Sequence, residues 1–274
     1  MTDNLSLDFP ISRARTHREG NPSDLHNEAA LFMETWIESS VHNFLKCRHD
    51  TKHLLGLITR SGPSSMVLRH STGQRVKEAD GGLRYQISES TKVQLCIVEV
   101  GISERSTKLQ QDMLTWFAQG VKVVLLVNIK ETKLYKSPAK TEHYKFGDFD
   151  HESNYAKRIF SKVLKREPLG EYKYKGHTWF NAISQMSVQI CKIIPGKSDP
   201  DITTINIIDN CDRTMNGSHM VSLSINELAP IRELRMLRAA EQEVTLNSDD
   251  FVDTVTLAVK KTALNRLQLY LKSR

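Results

Sequence analysis

Apolar residues recur at helical spacing in residues 23–46, at Leu25, Ala29, Phe32, Trp36 and Phe44, and the pattern predicts an amphipathic helix capped by Ser23 or Asp24. Glu34 and Glu38 lie four apart on the neighbouring face. The pattern then shortens. Residues 53–59, 65–70 and 82–87 read as strands, separated by Gly62-Pro63, Gly73 and Gly81-Gly82. Residues 93–102 form the strongest strand signal, and 121–129 are nearly continuously apolar, as in a strand covered on both faces. Between them, Leu109, Met113, Trp116 and Phe117 give a helix its inward stripe, with Ser103 as the expected N-cap and Gly120 as the stop. This strand–helix–strand unit implies a right-handed crossover and parallel pairing.

The second half is patterned less sharply. Residues 151–166 read as a basic helix, 171–195 and 202–210 as strands, and 247–272 as a long C-terminal helix with Ser248 at its cap. Residues 1–22 read as a flexible basic tail containing Arg13, Arg15 and Arg18. The expected organisation is this tail, a core over 23–135, and an extension over 136–274 that completes the core or packs on it. The fold class is α/β, a mixed sheet flanked by helices.

Composition narrows the class only a little. The chain has 274 residues, 39% of them hydrophobic and 26% charged, an ordinary globular balance. No apolar run approaches the ~20 residues that a membrane helix needs. Four cysteines without a C-x-x-C pair, and no leader-like apolar segment, point to reduced thiols and an intracellular location, cytoplasm or nucleus. A net charge of +6 tolerates a phosphate-rich partner without demanding one. A homo-oligomer is equally compatible. Cys47, His49 and His53 have zinc-like spacing but lack a fourth ligand nearby.

The chemistry concentrates on one anomaly. Glu99 sits among Ile97, Val98 and Val100, inside a run that otherwise reads as buried strand. A carboxylate removed from water costs several kcal/mol unless it is paired, hydrogen-bonded or bound to a cation. Asp80 stands nineteen positions earlier, just before the preceding strand, so a hairpin brings the two acids together. Two carboxylates at strand ends are a natural seat for Mg²⁺, which takes oxygen ligands and keeps several waters.

This order of elements and acids resembles the PD-(D/E)XK nuclease-like superfamily with its restriction-endonuclease-like fold. More narrowly, it is similar to the uncharacterised fungal branch, whose members read K-E-P-D before one strand and E-V-G-x-S-E at the end of the next. The matching pieces are Lys77-Glu78-Ala79-Asp80, the stretch from Val98 to Glu104, Asp112 with Trp116 on the following helix, and the strand 121–129. The resemblance covers about residues 23–130.

It implies hydrolysis of phosphodiester bonds in nucleic acid by a Mg²⁺- or Mn²⁺-dependent endonuclease. Asp80 and Glu99 would bind the metal, with Glu34 of the first helix assisting. Two departures stand out. Ala79 replaces the motif proline, and Gly101 replaces the motif lysine two residues after the acid. A basic residue on the next helix takes over in some members, which makes Lys108 the expected substitute. Lys173, Lys175, Lys260 and Lys261 are the expected nucleic-acid contacts. The alternative is a catalytically inactive module of the same fold that binds nucleic acid or a protein, and Gly101 is the residue that favours it.

Overall fold

The structure is a computed structural model that describes residues 23–273 apart from 48, 50, 71–72, 140–144, 195, 198, 215–216 and 229–242. The predicted basic tail over 1–22, with its arginines, lies outside the described residues.

In chain order the elements are α1 (Asp24–Lys46), β1 (Ile58–Arg60), β2 (Ser64–His70), β3 (Gly73–Ala79), β4 (Gly81–Gln86), β5 (Lys92–Ile102), α2 (Ser106–Ala118) and β6 (Val123–Glu131). The second half supplies α3 (Phe149–Arg166), β7 (Tyr172–Tyr174), β8 (His177–Phe180), β9 (Ile183–Lys192), β10 (Asp201–Asp209), β11 (Asp212–Arg213), β12 (Ser218–Ser224), α4 (Ile225–Leu228), β13 (Glu243–Asn247) and α5 (Ser248–Lys272).

Seven strands make one mixed sheet in the order β1-β4-β5-β6-β9-β10-β11. Only β5 and β6 run parallel, joined by the crossover helix α2; every other neighbour pair in that sheet is antiparallel. Residues from both halves of the sequence therefore share one sheet. The pairs β2–β3, β7–β8 and β12–β13 form separate two-stranded ribbons. No helix among the described residues is long and apolar enough to cross a membrane.

Helices cover both faces. On one face α1, α3 and α5 bury the larger core, which includes Cys96, Val98 and Val100 of β5. On the other, α2 buries a smaller cluster of Ile97, Leu109, Met113, Trp116, Val124 and Leu126. Side chains alternate across a strand, so Glu99, two beyond Ile97, points to the α2 side.

Several local expectations shift. Residues 52–54 form a short 3-10 turn, and the strand of that region is confined to Ile58–Arg60. Residues 171–195 divide into three strands, while β3, β12 and β13 were not read from the pattern. Ser103 is not a helix cap: it adopts a left-handed φ of 56°, and Arg105 precedes α2 without a side-chain cap bond. Asn247, not Ser248, caps α5 by accepting the Asp249 N–H. In α1 the deeply buried stripe is Leu25, Ala29, Met33, Ile37, Val41 and Leu45, whereas Phe32, Trp36 and Phe44 are half-buried beside it.

Candidate functional site

Two glycines set the approach between β4 and β5. Gly82 has a φ of 154°, and a Cβ there would lie 2.2 Å from the carbonyl oxygen of Cys96. Gly81 faces Val98 across the ladder, and its own Cβ would lie 2.7 Å from the Glu34 carboxyl carbon. Asp80 stands immediately before β4, and its carboxylate is near enough to Glu99 to raise that acid's pKa.

The Asp80 Oδ2 accepts the backbone N–H of Val100 at 2.7 Å and lies 3.2 Å from His26 Nε2 in the first turn of α1. Burial works against a charged His26, but the Asp80 carboxylate outweighs it and raises the imidazole pKa above its usual value. His26 Nδ1 is buried without a hydrogen-bond partner among the described residues.

Glu99 is 5% exposed, and a cation does wait for it. Lys77, near the end of β3, places its ammonium 3.3 Å from Glu99 Oε1 and 2.9 Å from Asp112 Oδ1 on α2. The indole N–H of Trp116, one turn further along α2, also donates to Glu99 Oε1. The ammonium sits 5.2 Å from the Trp116 ring centroid. Burial pushes the Glu99 carboxyl up to about 7; Lys77 pulls it down, Asp80 pushes it up, the Trp116 bond lowers it and Asp112 raises it. Burial likewise opposes the Lys77 charge, yet Glu99 and Asp112 together hold its pKa above the ordinary lysine value.

The structure thus gathers Lys77, Asp80, Glu99, Asp112 and Trp116, all of them in the pieces that carry the resemblance. Lys77 was not expected as a site residue. The signal for it was the demand of a buried carboxylate for a counter-charge; a hairpin returning through Asp80 offers the lysine three residues earlier. Nothing in the sequence marked His26.

The other expected residues lie elsewhere. Lys108 bonds Glu104 at 2.8 Å and its side chain is 57% exposed, so the substitution expected of it is corrected. The reason is helical phase: α2 turns Leu109, Met113 and Trp116 inward, which leaves residue 108 outward. Leu109 also lies over Gly101, where a Cβ would stand 2.8 Å from its Cδ1, so the motif-lysine position is roofed by an apolar side chain.

Glu34 does not join the pair either. It is buried, and its Oε1 accepts the N–H groups of Gly62 at 2.9 Å and Gly82 at 2.6 Å. Burial raises its pKa, and those two backbone bonds pull it back. It clamps two turns of the β1–β4 edge.

Of the expected nucleic-acid lysines, Lys173 pairs with Glu171, Lys175 with Glu152 at 2.7 Å, and Lys261 with Glu28 at 2.6 Å. Lys260 lines a cavity of about 210 Å³ with Lys157, Lys261, Leu257 and Leu264.

Among the described residues no group of three or more His, Cys, Asp or Glu is arranged to hold a metal ion. The donor set is two acids. Asp80 and Glu99 each use one carboxylate oxygen, and Asp80 Oδ1 and Glu99 Oε2 bond nothing among the described residues. The carboxylate oxygens of Asp80, just before β4, and Glu99, on β5, are donors of the kind Mg²⁺ takes, and waters would have to fill the rest of its shell. A cation there would offset the burial that chiefly raises Glu99 and the smaller repulsion from Asp80.

Comparison with protein-family models, curated proteins and solved structures returns no match.

Proposed function

We propose that this chain hydrolyses phosphodiester bonds in nucleic acid with the help of a divalent metal, and that Lys77 supplies the positive charge missing at Gly101. The observation that carries this reading is the Lys77–Glu99 contact of 3.3 Å beside Asp80. A lysine in ionic contact with a buried acid is what the motif lysine would have provided, delivered here from another strand. Support also comes from the order helix, strands, helix, strand, which agrees with the resemblance.

Each residue has a role of its own. Asp80 and Glu99 would hold Mg²⁺ or Mn²⁺, which when bound acidifies a water and neutralises phosphate charge. The Val100 N–H and His26 fix Asp80. The Trp116 N–H fixes Glu99 and leaves its second oxygen available. Lys77 holds a permanent positive charge at the pair, favouring the developing charge of a pentacovalent phosphate. Asp112 tethers that ammonium.

One observation favours a second reading, a module of the same fold that binds without catalysis. The Lys77 ammonium already spans Glu99 and Asp112 and neutralises part of the charge that a metal would seek.

The experiment is a cleavage assay on DNA and RNA with Mg²⁺ or Mn²⁺, run beside thermal melts in the same metals. Hydrolysis requires metal-dependent cleavage and a metal-dependent rise in melting temperature, because a ligand of the native state stabilises it. Lys77→Ala should lower the cleavage rate by about 10²–10³-fold, the usual cost of one preorganised donor, while the metal-induced rise persists. A wild type with neither cleavage nor a metal-induced rise overturns the proposal in favour of the inert module.

A further inference from the structure

The helix α3 carries an uncompensated positive face. At about 100° per residue, His151, Tyr155, Arg158, Lys162, Lys165 and Arg166 fall within one arc of the helix, and all six are exposed. The opposite arc, with Glu152, Ala156 and Phe160, is buried. No acid shares the outer arc: Asp150 lies off it, and Glu152 is committed inward to Tyr174, Lys175 and the Gly147 N–H. None of the four outer cations is in an ion pair among the described residues. Like charges four apart on a helix repel, and Arg158, Lys162 and Arg166 repeat at that interval. The C-terminal end of the α3 dipole favours Lys165 and Arg166, but Arg158 and Lys162 have no such compensation and no acid faces the row. The face therefore fits a polyanion.

The chemistry at its N-terminal end identifies which polyanion. The Tyr155 ring, 51% exposed, lies parallel to the His151 ring at 6.4 Å with an interplanar angle of 4°. An exposed flat π surface leading a row of cations is suited to stacking an unpaired base while the backbone runs along the row. The arc holds no aliphatic side chain to enter a bilayer, which disfavours a lipid surface. On another side of α3, Lys157 lines the small cavity with Lys260 and Lys261, outside the track.

We propose that the outer face of α3 is an anchoring track for single-stranded nucleic acid, with Tyr155 and His151 as the stacking platform and Arg158, Lys162, Lys165 and Arg166 as phosphate contacts. The choice of nucleic acid rests on the hydrolase reading. The site itself is separate, since α3 packs on the α1–α5 side of the sheet and Glu99 faces α2. The track holds polymer near the protein and takes no part in bond cleavage.

The test measures binding of a labelled oligothymidine and a labelled duplex to the full chain in chelator, across a salt series, so that cleavage plays no part. Each phosphate neutralised on a single strand contributes about 0.7 to the slope of log K against log salt. The combined variant Arg158→Gln, Lys162→Gln, Lys165→Gln, Arg166→Gln should therefore lower the slope by about 3 with its melting temperature preserved or raised. Tyr155→Ala should weaken oligothymidine and spare the duplex.

A folded four-site variant that binds like wild type overturns the track and leaves the hydrolase reading intact. A wild type that ignores both oligonucleotides at low salt but binds phosphatidylserine vesicles, in a manner lost in the variant, overturns the choice of partner. Retained track-dependent binding in a chain that cleaves nothing in Mg²⁺ or Mn²⁺ supports the track and sinks the hydrolase reading alone.

Discussion

Replacing Glu99 by glutamine tests the electrostatics of the acid cluster without needing any substrate. The folded carboxyl titrates at about 7 against an ordinary 4.5, with burial as the main cause. A raised pKa means that the native state holds a proton that the unfolded chain has released. Its contribution to stability is complete below about pH 4.5 and is lost as pH rises through 7. At roughly 1.36 kcal/mol per pH unit, the loss between pH 5 and pH 8 is about 2–3 kcal/mol.

Glutamine does not titrate, its amide oxygen still accepts the Trp116 N–H, and Lys77 keeps Asp112. The stability difference, variant minus wild type, should therefore grow by about 2–3 kcal/mol from pH 5 to pH 8 in chelator, in the direction that favours the variant. Urea unfolding at the two pH values reads this change independently of any constant offset. Other groups that titrate, such as His26, cancel in the comparison. Repeating the pH 8 measurement with Mg²⁺ should shrink the difference, because a cation at Asp80 and Glu99 stabilises the charged wild type. Parallel stability curves for the two proteins between pH 5 and pH 8 would refute the account of Glu99 as a buried, under-compensated carboxylate.

Two further expectations concern the frame around the site. Gly82→Ala forces a Cβ to 2.2 Å from the Cys96 carbonyl oxygen at a φ of 154°; the urea midpoint should fall by the equivalent of about 3 kcal/mol or more. Arg266 on α5 binds both oxygens of buried Glu131, donates to the Trp179 carbonyl and lies 4.3 Å from the Tyr135 ring centroid. Lysine has neither the fork nor the plane, so Arg266→Lys should cost about 2–4 kcal/mol in the same assay, and a loss below measurement error would contradict the pairing described.

The sequence made the larger elements readable because their periods are unambiguous. Both long helices at the ends, α2, and the strands β5 and β6 appear where the pattern expects them, within a few residues. The short elements escaped for physical reasons. β3 begins at Gly73 as one strand of a two-stranded ribbon with little apolar alternation, and among the described residues β12 and β13 pair only with each other. Glu99 stood out because an acid in an apolar run demands a reason, and Asp80 was reached through its place just before the preceding strand. Lys108 was chosen for its reach, yet reach counts for less than helical phase once Leu109 and Trp116 have fixed which side of α2 faces the sheet. Glu34 was read as an assisting metal ligand; its buried Oε1 is engaged by the N–H groups of Gly62 and Gly82, a role that only the three-dimensional path of those two glycines defines.

The bond from Trp116 to Glu99 has an optical consequence. Of the three tryptophans, Trp36 and Trp179 donate to the backbone carbonyls of Thr245 and Tyr174, whereas Trp116 donates to a group whose charge changes near neutral pH. Indole emission responds to nearby charge, so the centre carries its own dye. With Trp36 and Trp179 replaced by phenylalanine, the remaining fluorescence would follow the protonation of Glu99 directly. Every event that alters that carboxylate, from the arrival of a cation to the withdrawal of Lys77, becomes visible without a label.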